Sequence, residues 1–208
     1  EQIRRLINVS SAPQLIWLKI RPSTFRMLVL LLYGTGLRLG ETLRLTHADL
    51  DVPQSRLTVR GTKFYKTRWV PLGPPLMRLL QAYLGAEGRV YLPDSSHHVL
   101  AYRDGRPMQK SAVQRAFARV IRQAGITRDD QPQYRPRIHD LRATFAVHRL
   151  TSWYREGADV QQLLPLLSTY LGHGSLQATQ VYLTMTPELL EQASIRFERF
   201  AAARTDHD

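Results

Sequence analysis

The hydrophobic pattern of this chain changes period once, from helical to alternating and back, and that change limits the fold more than any other feature. Residues 22 to 33 (PSTFRMLVLLLY) open on a proline, run almost wholly apolar and stop before Gly34 and Gly36. That pattern predicts a buried helix. A short helix follows over Gly40 to Leu45. Residues 56 to 60 (RLTVR) and 67 to 72 (TRWVPL) then read as β-segments around the turn-like GTKFYK, which predicts a hairpin. Pro71 confines the second strand to an edge or an early finish. The helical period returns at Ser111, where Ser111 and Gln114 make a capping-box pattern and Gly125 supplies a stop. Val113, Phe117, Val120 and Ala124 share one face of that helix; Arg115, Arg119 and Arg122 share another. A proline-interrupted basic loop spans 126 to 138, and helices are expected over 140 to 155, 159 to 171 and 175 to 184. Thr186 to Ala203 closes the chain with a Thr cap, Pro187 in the first turn and an apolar stripe of Leu190, Ala193, Phe197 and Phe200. The expected fold class is mainly α with one small antiparallel β-sheet.

Charge narrows the class of partner. The 208 residues hold 29 Lys and Arg against 17 Asp and Glu, a net charge of +12. Such a surplus attracts polyanions, with nucleic acid first. A basic membrane anchor would concentrate its charge locally, whereas arginine is spread along this chain. There is no cysteine, which removes disulfides, thiol catalysis and Cys-ligated zinc and fits a reducing cytoplasm. The longest apolar run, Met27 to Tyr33, is too short to span a bilayer, and no signal segment opens the chain. A start at Glu1 rather than Met leads us to expect a fragment of a longer protein.

Five stretches supply what phosphoryl transfer needs: positive groups at the non-bridging oxygens, a nucleophile, and a proton donor for the leaving oxygen. They are Gly34-Thr-Gly-Leu-Arg38-Leu-Gly-Glu41, Gly61-Thr-Lys63 with Lys66-Thr-Arg68-Trp-Val-Pro71, His139-Asp-Leu-Arg142, Leu171-Gly-His173 and Thr179-Gln-Val-Tyr182. Each alone is a weak pattern of common residues. In this order and spacing, over roughly Gln2 to Met185, they resemble the tyrosine recombinases, or phage-type integrases.

The resemblance implies a role for each matching residue. Arg38 and Arg142 would clamp the scissile phosphate, since guanidinium groups donate paired hydrogen bonds and keep their charge. Glu41 would brace Arg38; a plain helix-surface carboxylate is its alternative. Lys63 matches the hairpin lysine that protonates the departing 5′ oxygen, with Lys66 as its rival, because the turn reads GTKF where relatives commonly flank the lysine with glycine. His139 would move a proton at the tyrosine hydroxyl and His173 would hydrogen-bond a phosphate oxygen. Tyr182 would be the nucleophile, with Tyr134, Tyr154 and Tyr170 as nearby alternatives lacking its motif context. Ala143 stands where many relatives have a second histidine. No metal or other cofactor is expected: His47, His97, His98, His148 and His207 complete the histidines without a ligand-type spacing, and the two arginines bring the charge a metal would bring. Lys66, Arg68, Arg115, Arg119 and Arg122 are candidate DNA contacts, the last three also readable as a solvated helix face.

The resemblance further implies a fold of the DNA breaking-rejoining type and a transesterification through a 3′-phosphotyrosyl bond. The expected partner is double-stranded DNA, engaged by a homotetramer of the full-length protein, this fragment being monomeric off DNA. Residues 1–185 are expected to form the catalytic domain. Residues 186–208 would be a helical tail packed on a neighbouring subunit or on its own core, and the family's N-terminal DNA-clamping domain is expected to be absent from this stretch. Such a protein is expected in the cytoplasm, on the nucleoid. A type IB topoisomerase and a non-catalytic DNA-binding protein on the same fold are the alternatives.

Overall fold

The helices expected at the two ends of the hairpin form where the apolar spacing puts them. The computed structural model describes residues 1–10, 20–61, 67–86, 95–128 and 133–184, with 191, 194 and 195. Its elements are α1 (Gln2–Val9), α2 (Pro22–Thr35), α3 (Leu39–Arg44), β1 (Leu50–Asp51), β2 (Arg56–Val59), β3 (Arg68–Pro71), α4 (Pro74–Gly85), α5 (Lys110–Gln123), α6 (Asp140–Arg155), α7 (Val160–Leu171) and α8 (Gln177–Gln180). Short 3₁₀ turns cover His47–Asp49 and Val181–Thr184. The chain divides into two compact units, Glu1–Arg142 and Ala143–Asp208.

In the first unit α2 is the central element. Pro22 occupies its first position, and Phe25, Leu28, Leu31 and Leu32 are buried. It packs against α1, α3 and α4. α4 begins on Pro74 and Pro75, which cost nothing in a first turn that has no N–H partners, and it buries Met77, Leu80, Tyr83 and Leu84. On α5 the expected apolar face is buried in full, from Val113 through Phe117 and Val120 to Ala124. Arg115, Arg119 and Arg122 are exposed. The sheet runs β1-β2-β3, antiparallel throughout. β3 is an edge strand that ends at Pro71, as the missing N–H of proline requires. Residues Leu57 and Val59 pair with Val70 and Arg68 and form the sheet's inner face. Arg56, Thr58 and Trp69 form the outer one, with the Arg56 guanidinium 4.3 Å above the Trp69 ring.

In the second unit Phe145, Ala146 and Leu150 of α6 meet Val160, Leu164, Leu167 and Leu171 of α7, and Tyr182 joins this core. Asp159 caps α7 by accepting from the N–H groups of Gln161 and Gln162, the usual service of a short acceptor at a helix start.

Three expectations need correction. Ser111 is not the cap of α5: the helix opens at Lys110 from Gln109, and the Val113 N–H already bonds the Gln109 carbonyl at 3.1 Å. The segment expected as one helix over 175 to 184 splits into α8 and a 3₁₀ turn, the tighter winding common where a short helix ends. The helices α1 and α4 and the two-residue strand β1 were not expected at all. The final helix over Thr186 to Ala203 lies outside the described residues apart from 191, 194 and 195.

Candidate active site

The first unit gathers Arg38, Glu41, Arg68 and Arg142 around the loop that ends α2. Gly36 closes that helix with φ 63 and ψ 17, a left-handed conformation that glycine adopts without strain. Thr35 tightens the same turn: its hydroxyl donates to the Leu31 carbonyl at 2.6 Å and accepts from the Leu37 N–H at 3.3 Å. The Gly36 carbonyl is thereby aimed at Arg142, whose Nη1 donates to it at 2.7 Å. Arg142 is 2% exposed, and Arg38 lies two residues beyond the carbonyl that anchors it. The glycine turn thus anchors Arg142 directly, with Arg38 next along the same loop.

Glu41 holds Arg38 from the other side. As the third residue of α3 it accepts from the Arg38 backbone N–H at 3.0 Å and from Arg38 Nη1 at 3.1 Å. Arg68 approaches the same carboxylate with two bonds, Nη1 at 3.2 Å and Nη2 at 2.8 Å. Strand alternation explains this: Arg68 shares the inner face of the sheet with Val70, so its charge points inward and needs a buried partner. Of the candidate DNA contacts, Arg68 is thus committed to Glu41 rather than displayed on the surface. Burial pushes the Glu41 pKa up, but the Arg68 hydrogen bonds, the Arg38 N–H and the two positive charges outweigh it and leave the carboxyl below its ordinary range.

His139 precedes α6, and its carbonyl accepts the Arg142 N–H at 3.1 Å. Its pKa is lowered from 6.5, first by loss of water around the ring and then by the positive charge of Arg142; the Asp140 carboxylate pulls the other way, and Arg137 and Arg38 add smaller lowering contributions. The shift favours the neutral imidazole, the form that can accept a proton. A ¹H–¹⁵N titration of His139 should give a midpoint below that of a free imidazole, about 6.5. Replacing Arg38 with Ala should move the midpoint slightly upward; an unmoved midpoint would remove the Arg38 charge as a cause.

The second unit carries the other motif pair. α7 ends at Leu171, which is buried, and Gly172 turns the chain with φ 68 and ψ 45. The His173 N–H bonds back to the Ser168 carbonyl at 3.0 Å, the 6→1 bond of a glycine-terminated helix. Leu-Gly-His is thus a core anchor, a left-handed turn and a fixed imidazole in succession. His173 Nδ1 lies 2.7 Å from Thr179 Oγ1, and the rings of His173 and Tyr182 are 6.0 Å apart between centroids. Tyr182 is 7% exposed, in the 3₁₀ turn after α8.

Lys63, Lys66, Leu190, Phe197 and Phe200 lie outside the described residues. Arg115, Arg119 and Arg122 stay on the open face of α5. Among the described residues no group of three His, Cys, Asp or Glu is arranged to hold a metal ion, and no helix is long and apolar enough to cross a membrane. Sequence reasoning passed over Thr35, Gly36 and Thr179 as individuals, although each sits inside a quoted motif. The signal for Thr179 was its place three residues, or about one helical turn, before Tyr182.

The Phage integrase family model matches residues 1–188. The chain is 39% identical over 188 residues to "Putative integrase/recombinase y4rB" of Sinorhizobium fredii, covering 90% of this chain and 60% of that protein. It is 33% identical to the tyrosine recombinase XerA of Pyrococcus furiosus over 195 residues, 93% of this chain and 58% of the relative. The chain thus spans about three fifths of these relatives' length. A crystal structure of XerA recombinase superposes with a TM-score of 0.69 at 25% identity, covering 94% of this chain and 61% of that one. The Tn1549 transposon integrase in complex with circular intermediate DNA superposes with a TM-score of 0.67 over 96% of this chain and 65% of that one. At 18% identity that likeness bears on the fold alone. The helical architecture with its three-stranded antiparallel sheet is the one expected for this class.

Proposed function

Because the chain belongs to the phage integrase family, we propose that it is the catalytic domain of a site-specific DNA recombinase, with residues 1–185 as that domain and Tyr182 as its nucleophile. The observation that carries the reading is the pair of arginines held side by side, Arg142 through the Gly36 carbonyl and Arg38 through Glu41. Two rigid guanidinium groups suit the doubly anionic transition state of a phosphodiester under attack. The Tyr182 Oη bonds to phosphorus as the bond from phosphorus to the 5′ oxygen breaks. The phenolic proton passes to His139, and Lys63 gives a proton to the 5′ oxygen, leaving a free 5′ hydroxyl and a 3′-phosphotyrosyl bond. His173 donates a hydrogen bond to a non-bridging oxygen. Attack by a 5′ hydroxyl of a second duplex reverses each transfer and completes strand exchange, with the phosphodiester energy kept in the covalent bond and no ATP consumed.

The working assembly is a homotetramer of the full-length protein on two duplexes, acting on nucleoid DNA in the cytoplasm. Arg115, Arg119 and Arg122, exposed on one helix face, contact DNA phosphates. Each phosphate contact adds about 0.9 to the slope of log affinity against log salt. Changing all three to Ala should flatten that slope by up to about 2.7 in a titration of duplex binding across salt concentrations. An unchanged slope would return these arginines to a merely solvated face.

The reading is tested with duplexes nicked near candidate sites, which trap the covalent stage when the short 5′ product diffuses away. The expected product is a denaturant-resistant protein–DNA adduct with the phosphate on the 3′ side of the break. An adduct on the 5′ phosphate would overturn the proposed polarity, and relaxation of supercoils without exchange between two duplexes would favour a topoisomerase.

A further inference from the structure

The mechanism above uses His173 as a hydrogen-bond donor, but a neutral imidazole donates from one nitrogen only, and something must choose which. We propose that Thr179 is a positioning residue that makes this choice by donating its hydroxyl to His173 Nδ1, so that the ring proton resides on Nε2. The proposal rests on the recombinase reading for its catalytic consequence, though not for its structural content.

The geometry gives the hydroxyl little latitude. Thr179 is fully buried, and a buried hydroxyl strongly favours having an acceptor for its proton. Its Oγ1 lies 2.7 Å from His173 Nδ1, within the range of a short and well-formed bond. If the hydroxyl donates, Nδ1 is the acceptor, and a neutral ring must then carry its hydrogen on Nε2. The backbone leaves the ring little freedom either. The His173 N–H is tied to Ser168 and the following loop is closed by the Ser168 hydroxyl, which donates to the Ser175 carbonyl at 3.4 Å. Thr179 itself is held in α8, its N–H bonded to the Leu176 carbonyl at 2.8 Å. Tyr182 follows Thr179 by three residues, so one helical turn joins the residue that orients the imidazole to the residue read as the nucleophile.

The side chain best suited to this work is small, branched and able to donate. Serine keeps the hydroxyl; valine keeps the shape and removes it. Threonine and valine are nearly equal in volume, so Thr179→Val tests the hydroxyl with little change of packing. For metal-ligating histidines, loss of the orienting partner costs about 10- to 100-fold, and a loss of that order is expected here.

Two readouts separate this proposal from the reading beneath it. The first is the long-range ¹H–¹⁵N spectrum of the histidine-labelled chain, with the His173 signals assigned by their loss in His173→Gln. The wild type and Thr179→Ser should show the Nε2–H tautomer, and Thr179→Val should move toward a mixture. A wild-type Nδ1–H tautomer, or a Thr179→Val spectrum identical to wild type, would overturn the proposal. The second is the rate of adduct formation on a nicked duplex. It should fall about 10- to 100-fold in Thr179→Val and recover in Thr179→Ser. A wild-type rate in Thr179→Val would overturn the positioning role while leaving the recombinase reading intact. If the wild type forms no adduct at all, the recombinase reading falls, and the tautomer spectrum still decides whether Thr179 governs the ring.

Discussion

Tyr182→Phe is expected to abolish the covalent protein–DNA adduct while changing the stability of the chain by no more than about 1 kcal/mol, the size of one hydroxyl hydrogen bond. The contrast follows from the two ends of the side chain. The ring lies in the core of the second unit with Phe145, Leu150, Leu164 and Leu171, and phenylalanine fills that space equally well. The hydroxyl is the only atom lost, and it is the atom that would bond to phosphorus. Covalent catalysis has no graded substitute for its nucleophile, so the loss should be complete rather than partial.

A second tyrosine sharpens the comparison. Tyr170 stacks on Phe145 with ring centroids 5.6 Å apart and belongs to the same unit, but it lies in α7 ahead of the glycine turn. Tyr170→Phe should form the adduct at the wild-type rate. Denaturing gels of both variants and the wild type, on the same nicked duplex, decide the matter. An adduct of undiminished strength in Tyr182→Phe would transfer the nucleophile to another residue, and its loss in Tyr170→Phe alone would name that residue. Guanidinium melts run beside the gels would show whether either variant had merely unfolded.

How far the sequence reading reached depends on whether a feature is local. The Leu-Gly-His turn is legible because one glycine, one buried leucine and one backbone bond account for it, all within six residues. The hairpin is legible because alternation in RLTVR and TRWVPL is a period-2 signal bounded by turn residues, and Pro71 marks its edge. What escaped is what depends on distant partners. Arg68 reads as a surface cation because every arginine does; only the register Val59↔Arg68 turns it inward to a carboxylate 27 residues away. The role of Gly36 was likewise hidden, since its carbonyl serves a guanidinium 106 residues later. β1 was missed because two residues carry no period, and the Ser111 cap was misjudged because a capping-box pattern costs nothing when it falls by chance inside a helix already nucleated upstream.

The same long-range pairing yields the largest expected effect on stability. Glu41 and Arg68 have side chains 4% and 12% exposed, so removing either leaves its partner charged and short of water. Breaking such a pair costs about 3 to 5 kcal/mol, and the more open Arg38, at 36%, argues for the lower end here. Glu41→Ala and Arg68→Ala should each lower the urea midpoint at pH 7 to that extent, and the double variant should lose less than the sum because neither half of the Glu41–Arg68 pair is left behind. Acid adds a sign that packing alone cannot imitate. The Glu41 carboxyl has a folded pKa below its ordinary 4.5, so the native state binds that proton less readily than the unfolded chain. Its contribution is present above about pH 4.5, and it is lost as pH falls through the lowered folded value. Wild type should therefore lose stability over that range, and Glu41→Gln, already neutral, should lose less of it. Additive single losses would mean that the two side chains act independently, and parallel pH curves would mean that the carboxylate charge is not what holds Arg38 and Arg68 in place.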